Sequence, residues 1–285
     1  MRRRLRGRGG LRRPPFHVLP NLFTVGNLFA GFFSITATLR GEYDQAAVAI
    51  VLGAVLDALD GAVARLVRSH TVFGVQLDSL ADVVTFGIAP AVLAYGWGIA
   101  GLNRVAVPFV QDLKNLGWIA SFAFLTGGAL RLARYNVARQ APEAAGEAAP
   151  SAPRPRHFSG MPIPTGAGTL AVVVHYFKDP IGSWSLGAAW IALVFSLGLL
   201  MVSTIPFVSL RHFLTRHRRG HLVVGVAGVL LAAAWFYSEI VLLALLLAYL
   251  TYCAWYNVFP AVRRWEDRPS QHERFVSETE DVPAG

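Results

Sequence analysis

Charge is what this chain has least of. Asp, Glu, Lys and Arg make up 15% of its 285 residues, where about 25% is ordinary for a soluble domain. So little charge cannot cover the surface of a water-soluble protein of this length, and it excludes an extended disordered chain. Cysteine is nearly missing too. Cys253 stands alone, so no intramolecular disulfide forms and a disulfide scaffold is excluded. Lysine is confined to Lys114 and Lys178 against 24 arginines, a split that reflects GC-rich coding more than a physical need. What is abundant is apolar. The hydrophobic set is 54% of the chain, and the 27 glycines raise that to roughly 63%, above the ~45–50% of soluble domains. A polytopic membrane protein remains.

Eight apolar stretches are each about long enough to cross ~30 Å of hydrocarbon at 1.5 Å per residue. They run over residues 21–39, 45–66, 78–101, 116–137, 163–178, 187–208, 221–237 and 239–260. The fold expected is all-α: a transmembrane helical bundle of about eight spans with both termini cytoplasmic. Basic residues support that count. With the N-terminus inside, 22 of the 26 Lys and Arg fall on the inner side, and only Arg40, Arg104, Lys114 and Lys178 fall outside. The positive-inside bias produces such a split; seven spans would strand the C-terminal arginines on the wrong face. The Arg-rich N-terminus reads as a topology signal attracted to anionic headgroups. No nucleic-acid module accompanies it, so nucleic acid is not an expected partner.

Against this background four aspartates are conspicuous. Helix 2 ends with Asp57 and Asp60, and helix 3 carries Asp78 and Asp82. Each ionised Asp deep in a span costs on the order of 2.5–3.5 kcal/mol on the lenient insertion scale. At 100° per residue, Asp57 and Asp60 lie about 60° apart and Asp78 and Asp82 about 40° apart, so each pair occupies one helix stripe. A short loop, 67–73, makes the helices antiparallel neighbours whose acidic stripes can share a cavity near the cytoplasmic surface. Carboxylates so gathered cannot all stay ionised unaided. Divalent cations resolve this: carboxylate oxygen is a hard ligand suited to Mg²⁺ or Mn²⁺, and no His or Cys lies among the acids to favour zinc. Two such ions would make a clamp for phosphoryl transfer. Gly61 and Gly74 remove side chains beside the acids, leaving room for a diphosphate, and Arg65 adds a cation at the mouth. A proton path in a transporter, or carboxylates neutralised by intramembrane Arg, would also place acids in a membrane.

Taken together, Asp57-x2-Asp60-Gly61-x2-Ala64-Arg65-x8-Gly74-x3-Asp78-x3-Asp82 resembles the signature of the CDP-alcohol phosphotransferases at every fixed position. The segments Pro20-Asn-Leu-Phe-Thr-Val-Gly-Asn27-Leu-Phe-Ala-Gly31, Phe86-Gly-Ile-Ala-Pro90, Arg131-Leu-Ala-Arg134-Tyr-Asn136 and Phe158-Ser-Gly-Met-Pro-Ile-Pro164 are similar to the serine-using branch of that family, the membrane-integrated phosphatidylserine synthases. The resemblance implies an enzyme of the inner (cytoplasmic) membrane with its site facing the cytoplasm. An acceptor hydroxyl, that of L-serine, attacks the β-phosphorus of CDP-diacylglycerol and CMP leaves. It also implies two divalent cations held by Asp57, Asp60 and Asp78, with Asp82 as a further ligand or as the base. Gly61, Ala64, Arg65 and Gly74 would line the CDP-lipid pocket. The implied layout is a basic tail (1–16), a catalytic membrane domain (17–210, with a cytoplasmic loop near 138–160), two additional spans (211–264) and a polar tail (265–285). Relatives are often dimeric, and small residues on several helices permit a homodimer.

Serine is a zwitterion, and a planar guanidinium binds carboxylate bidentately. Arg131 and Arg134, i,i+3 at the cytoplasmic end of helix 4, are therefore the acceptor candidates, with Asn136 beside them; anchoring of the helix end and diphosphate binding are their other readings. Asn27, inside helix 1, needs a polar partner and is grouped with the CDP-lipid residues, a helix–helix hydrogen bond being the other reading. Asn21 is expected to cap helix 1, His70 to be a solvated loop residue, and His157, Phe158 and Gly160 to border the acceptor side. Six tryptophans, Trp97, Trp118, Trp184, Trp235, Trp255 and Trp265, read as interface anchors. Glycerol 3-phosphate or inositol phosphate as acceptor, and a proton-coupled transporter, are the alternative functions.

Overall fold

The structure is a computed structural model that describes residues 18–67, 72–100, 102, 108–144, 158–207 and 238–258. Its contacts divide the chain into two units, Met1–Arg154 with Gly160–Ser203, and Pro155–Ser159 with Thr204–Gly285. Among the described residues, every regular element of the first unit is a helix. Helix α1 spans Val18–Leu39 and α2 spans Tyr43–Val67. Then α3 (Val72–Asp82), a π-helical segment (Val83–Ile88) and α4 (Ala89–Ala100) run on without a break. Helices α5 (Val110–Ala144), α6 (Ile163–Phe177) and α7 (Trp184–Val202) complete it. The second unit holds a two-residue antiparallel ladder, β1 (Phe158–Ser159) with β2 (Pro206–Phe207), and a helix, α8 (Ser238–Val258). Seven of the eight expected apolar stretches coincide with helices; the stretch 221–237 lies outside the described residues.

The first unit has an apolar interior with a smaller buried polar set, and many of its outward side chains are apolar too. Thr24, Asn27, Ser34 and Thr38 are buried on the inner face of α1, while Leu22, Val25, Phe29, Phe32 and Leu39 are exposed on its outer face. Exposed apolar side chains also line α5 (Leu116, Ile119, Phe122, Leu130) and α7 (Leu186, Phe195, Leu199). Water would not tolerate such a surface; hydrocarbon does. Among the described residues, Leu22–Leu39, Phe73–Ile99, Val110–Val137 and Trp184–Val202 are long and apolar enough to cross a bilayer. The chain is a multi-pass membrane protein.

A tight turn sets the register of α1 on α2. Gly41 takes φ 77° just after α1, the left-handed position glycine occupies without a Cβ clash, and the Glu42 amide donates back to Ala37 O at 2.9 Å. Counting outward from this turn, Thr24 comes opposite Asp60 and Asn27 opposite Gly53. These levels lie about 25 Å from the turn at 1.5 Å per residue, toward the other membrane face.

The third span widens because of Pro90. Proline has no N–H and crowds the carbonyl four residues back. Upstream of it the chain shifts to i→i+5 pairing, with the Ala89 amide donating to Val84 O, so the donors stay satisfied. The widened turn carries Thr85 into the seam between α1 and α2. A Cβ on Gly53 would lie 2.6 Å from Thr85 Cγ2, and one on Gly31 2.8 Å from Thr85 Cα. Two glycines thus make a three-helix joint directly beneath the acidic residues.

Two expectations change here. Helix α1 begins at Val18, so Asn21 lies within its first turn and does not cap it. Trp97 is not an interface anchor: it is buried at 3%, donates Nε1–H to Lys178 O at 3.2 Å, and meets Trp190 edge-on at 4.9 Å. Trp118, Trp184 and Trp255 are exposed as anchors should be. Trp235, Trp265, His70 and His157 lie outside the described residues.

Candidate functional site

Asp57 comes from the C-terminal part of α2, Asp78 from α3, and Asp82 from the last residue of α3. One carboxylate oxygen from each lies within 4.8 Å of the other two, and all three residues are half-buried. Helical spacing produces this: Asp78 and Asp82 are one turn apart on one face, and the Gly53–Thr85 joint draws that face against α2. At an effective dielectric near 20, two bare charges 4.8 Å apart repel by about 3–4 kcal/mol. Protons or a bound cation must offset that cost. The donor set is all oxygen, which suits a hard divalent cation. Oxygens on opposite sides of a Mg²⁺ ion lie about 4.2 Å apart, given metal–oxygen distances near 2.1 Å. The three carboxylates therefore fit a divalent ion with little adjustment.

Asp60 is not part of this group. It is buried at 6%, and its Oδ2 accepts a short hydrogen bond from Thr24 Oγ1 of α1. Asn27, one turn further along α1 and fully buried, donates Nδ2–H to Asp82 Oδ1 at 3.3 Å. So α1 supplies a donor to each of two acids on other helices. Gly61 follows Asp57 by one turn of α2, Ala64 and Arg65 by two, and Gly74 precedes Asp78 by one turn of α3. By helical spacing Gly61 and Ala64 fall on the stripe of Asp57 and Gly74 on that of Asp78, while Arg65 is about 80° round the helix from Asp57.

The acceptor candidates are on α5. Asn136 donates Nδ2–H to Ser79 Oγ at 2.9 Å, and Ser79 Oγ–H donates to Val75 O at 3.0 Å, so Asn136 is tied to the turn of α3 that bears Asp78. Arg134 is exposed and donates Nη2–H to Val202 O at 3.0 Å, at the C-terminal end of α7, where a cation also complements the helix dipole. Arg131 is half-buried one turn earlier. Gly160, expected to border the acceptor side, takes φ 84° and is buried; a Cβ there would strike Met201 and Ser203 backbone oxygens, which accounts for glycine at this position.

Sequence reasoning passed over Thr24, Ser79 and Thr85. Thr24 was legible: it sits three residues before Asn27 on the same face of an apolar helix, where a hydroxyl needs a partner. Thr85 was not, because its place depends on the π turn. Far from the acids, His175 Nδ1 lies 2.5 Å from Asp44 Oδ1, joining the end of α6 to the start of α2; helical pattern alone gave no reason to pair them.

Comparison with known proteins places the chain among relatives. Residues 17–202 match the CDP-alcohol phosphatidyltransferase family. A CDP-diacylglycerol–serine O-phosphatidyltransferase of Helicobacter pylori is 32% identical over 199 residues, covering 68% of this chain and 73% of the relative. One of Mycobacterium tuberculosis is 28% identical over 277 residues, covering 93% and 88%. An archaetidylserine synthase of Methanothermobacter thermautotrophicus is 29% identical over 196 residues, covering 67% and 70%.

Proposed function

The chain belongs to the CDP-alcohol phosphatidyltransferase family, and from that footing we propose that it moves the phosphatidyl group of CDP-diacylglycerol onto the hydroxyl of L-serine. The serine oxygen bonds to the β-phosphorus, the bond from that phosphorus to the bridging oxygen breaks, CMP leaves, and the hydroxyl proton passes to a carboxylate. The observation that carries this reading is the convergence of Asp57, Asp78 and Asp82 within 4.8 Å, in a family whose relatives here carry serine in their names.

Asp57, Asp78 and Asp82 would hold one divalent cation, Mg²⁺ or Mn²⁺, and Asp60, which lies outside that cluster here, would have to turn toward it to help hold a second. When bound, such ions withdraw charge from the diphosphate and stabilise the leaving group. Asp82, as ligand or as base, is placed to accept the serine proton. Gly61, Ala64 and Gly74 leave the space along both stripes for the diphosphate and ribose, and Arg65 adds a fixed positive charge. Arg131 is the leading partner for the serine carboxylate, because it is half-buried on the inner part of α5 whereas Arg134 is exposed; Asn136 holds α5 at the level of Asp78.

The spans number eight, counting 221–237 and α8, with both termini in the cytoplasm and the acidic mouth opening there, at the inner membrane of the cell. The 22-to-4 partition of basic residues supports this orientation. Within that frame 1–16 and 265–285 are tails, 17–210 is the catalytic domain, and 211–264 adds two spans. Small residues on the helix faces also allow a homodimer.

The test is direct. Full-length protein in detergent with CDP-diacylglycerol and Mn²⁺ or Mg²⁺ is offered serine, glycerol 3-phosphate and inositol phosphate separately, and CMP is measured. CMP with serine alone supports the proposal. CMP with another acceptor keeps the chemistry and overturns the substrate, and none with any acceptor returns the acids to a transport role.

A further inference from the structure

Asn27 and Thr24 make an arrangement that packing does not require. Both are buried, at 0% and 3% exposure, on the inner face of α1, at the end of that face nearest the acids. An unsatisfied polar group in such a place costs about 1–3 kcal/mol, yet Asn27 accepts part of that cost: its Oδ1 has no hydrogen-bond partner and lies 3.0 Å from where a Cβ on Gly53 would be. An amide serving only to join helices would be satisfied at both ends. Turning the amide over would set its oxygen against Asp82 Oδ1 in place of the Nδ2–H donor that lies 3.3 Å from it, so the contact to Asp82 goes with this orientation. The backbone is fixed at the same level, because Thr85 Oγ1–H donates to Asn27 O at 2.8 Å and Thr85 follows Asp82 by three residues.

We propose that Thr24 and Asn27 are positioning residues of the acidic site: α1 lends a hydroxyl donor to Asp60 and an amide donor to Asp82, and these two bonds fix how the carboxylates face the bound cations. The proposal rests on the divalent-metal reading given above and assigns α1 a part in it that none of its own residues performs as a ligand. Outer-shell partners of this kind orient ligating groups and sharpen affinity.

The experiment uses the full-length protein in lipid nanodiscs. Free Mn²⁺ is followed by electron paramagnetic resonance during titration, and the KM values for CDP-diacylglycerol and serine are measured at saturating Mn²⁺. The variants are Asn27→Leu, Thr24→Val, Thr24→Ser and, as the ligand control, Asp82→Asn. Asn27→Leu and Thr24→Val each raise the Mn²⁺ concentration for half-saturation about tenfold, with both KM values moved less than about twofold. Thr24→Ser, which keeps the hydroxyl, binds as wild type does. Thr24→Val is nearly isosteric, so it keeps the test decisive if Asn27→Leu does not fold. Wild-type Mn²⁺ affinity in Thr24→Val and Asn27→Leu, with loss in Asp82→Asn, overturns the positioning role and leaves the metal site standing. A rise in the CDP-diacylglycerol KM at unchanged Mn²⁺ affinity overturns it in favour of substrate contact. A wild-type protein that binds no Mn²⁺ overturns the metal reading and this proposal with it.

Discussion

At the residue scale, the four acids were legible because ionisable groups inside lipid are costly and helical spacing says which way they point. Spacing did not tell them apart. Asp57 and Asp60 share a helix turn, yet Asp57 faces Asp78 and Asp82 while Asp60 turns to Thr24. That difference depends on what α1 presents, which no reading of α2 alone contains. The arginines divide in the same manner. Arg131 and Arg134 look equivalent as an i,i+3 pair, but Arg131 is half-buried while Arg134 is exposed and lies at the end of α7, donating to Val202 O. Arg131→Ala should therefore raise the serine KM about 10- to 100-fold, the range of a charged hydrogen bond worth about 1.5–3 kcal/mol. Arg134→Ala should instead lower the melting temperature, with a much smaller change in KM. Steady-state kinetics with serine varied, beside thermal unfolding in the same detergent, separates the two; equal KM effects would put both guanidiniums on the substrate.

Elements were easier to read than their joints. Helix positions followed from apolar length: α1, α2, α6 and α8 coincide with expected stretches within about three residues, whereas α5 runs six or seven residues past its stretch at each end and α7 stops six residues short. The π segment did not follow, although Pro90 marks its cause, because proline in a helix resolves as a kink, a break or a wider turn depending on its neighbours. Here the seat for Thr85 between Gly31 and Gly53 settles it. Trp97 was misjudged for a related reason: a tryptophan near a span end anchors at the interface only when no partner helix covers it, and Trp190 does. The joint is testable. Gly53→Ala would press a methyl onto Thr85 and Asn27, and overpacking of this kind costs about 1–3 kcal/mol. Lower thermal stability together with weaker Mn²⁺ binding is expected, because the same joint sets the distance between Asp57 and Asp82. Wild-type stability in Gly53→Ala would show that the joint has slack and does not set the site.

At the scale of the whole molecule, one distribution accounts for the architecture. Large apolar side chains face out on α1, α5 and α7 of the first unit, while a smaller polar set that includes Thr24, Asn27 and Asp60 is buried beside an apolar core; composition made the apolar excess legible, but not which groups face in. Orientation is the further step. In a Cys253→Ser background, a cysteine at Gly41, in the α1–α2 turn, should react with an impermeant maleimide added to intact cells. A cysteine at Glu143, at the end of α5, should react only after permeabilisation. The opposite pattern would invert the topology and move the acidic mouth away from the cytoplasm. The central claim is more local: Asp57, Asp78 and Asp82 close on a divalent cation. Anomalous diffraction from crystals of the full-length protein grown with Mn²⁺ tests it most directly. The expected result is a manganese peak among these three side chains, at about the 2.0–2.6 Å of hard-cation coordination; a map in which the carboxylates point apart, or the manganese sits elsewhere, would contradict it.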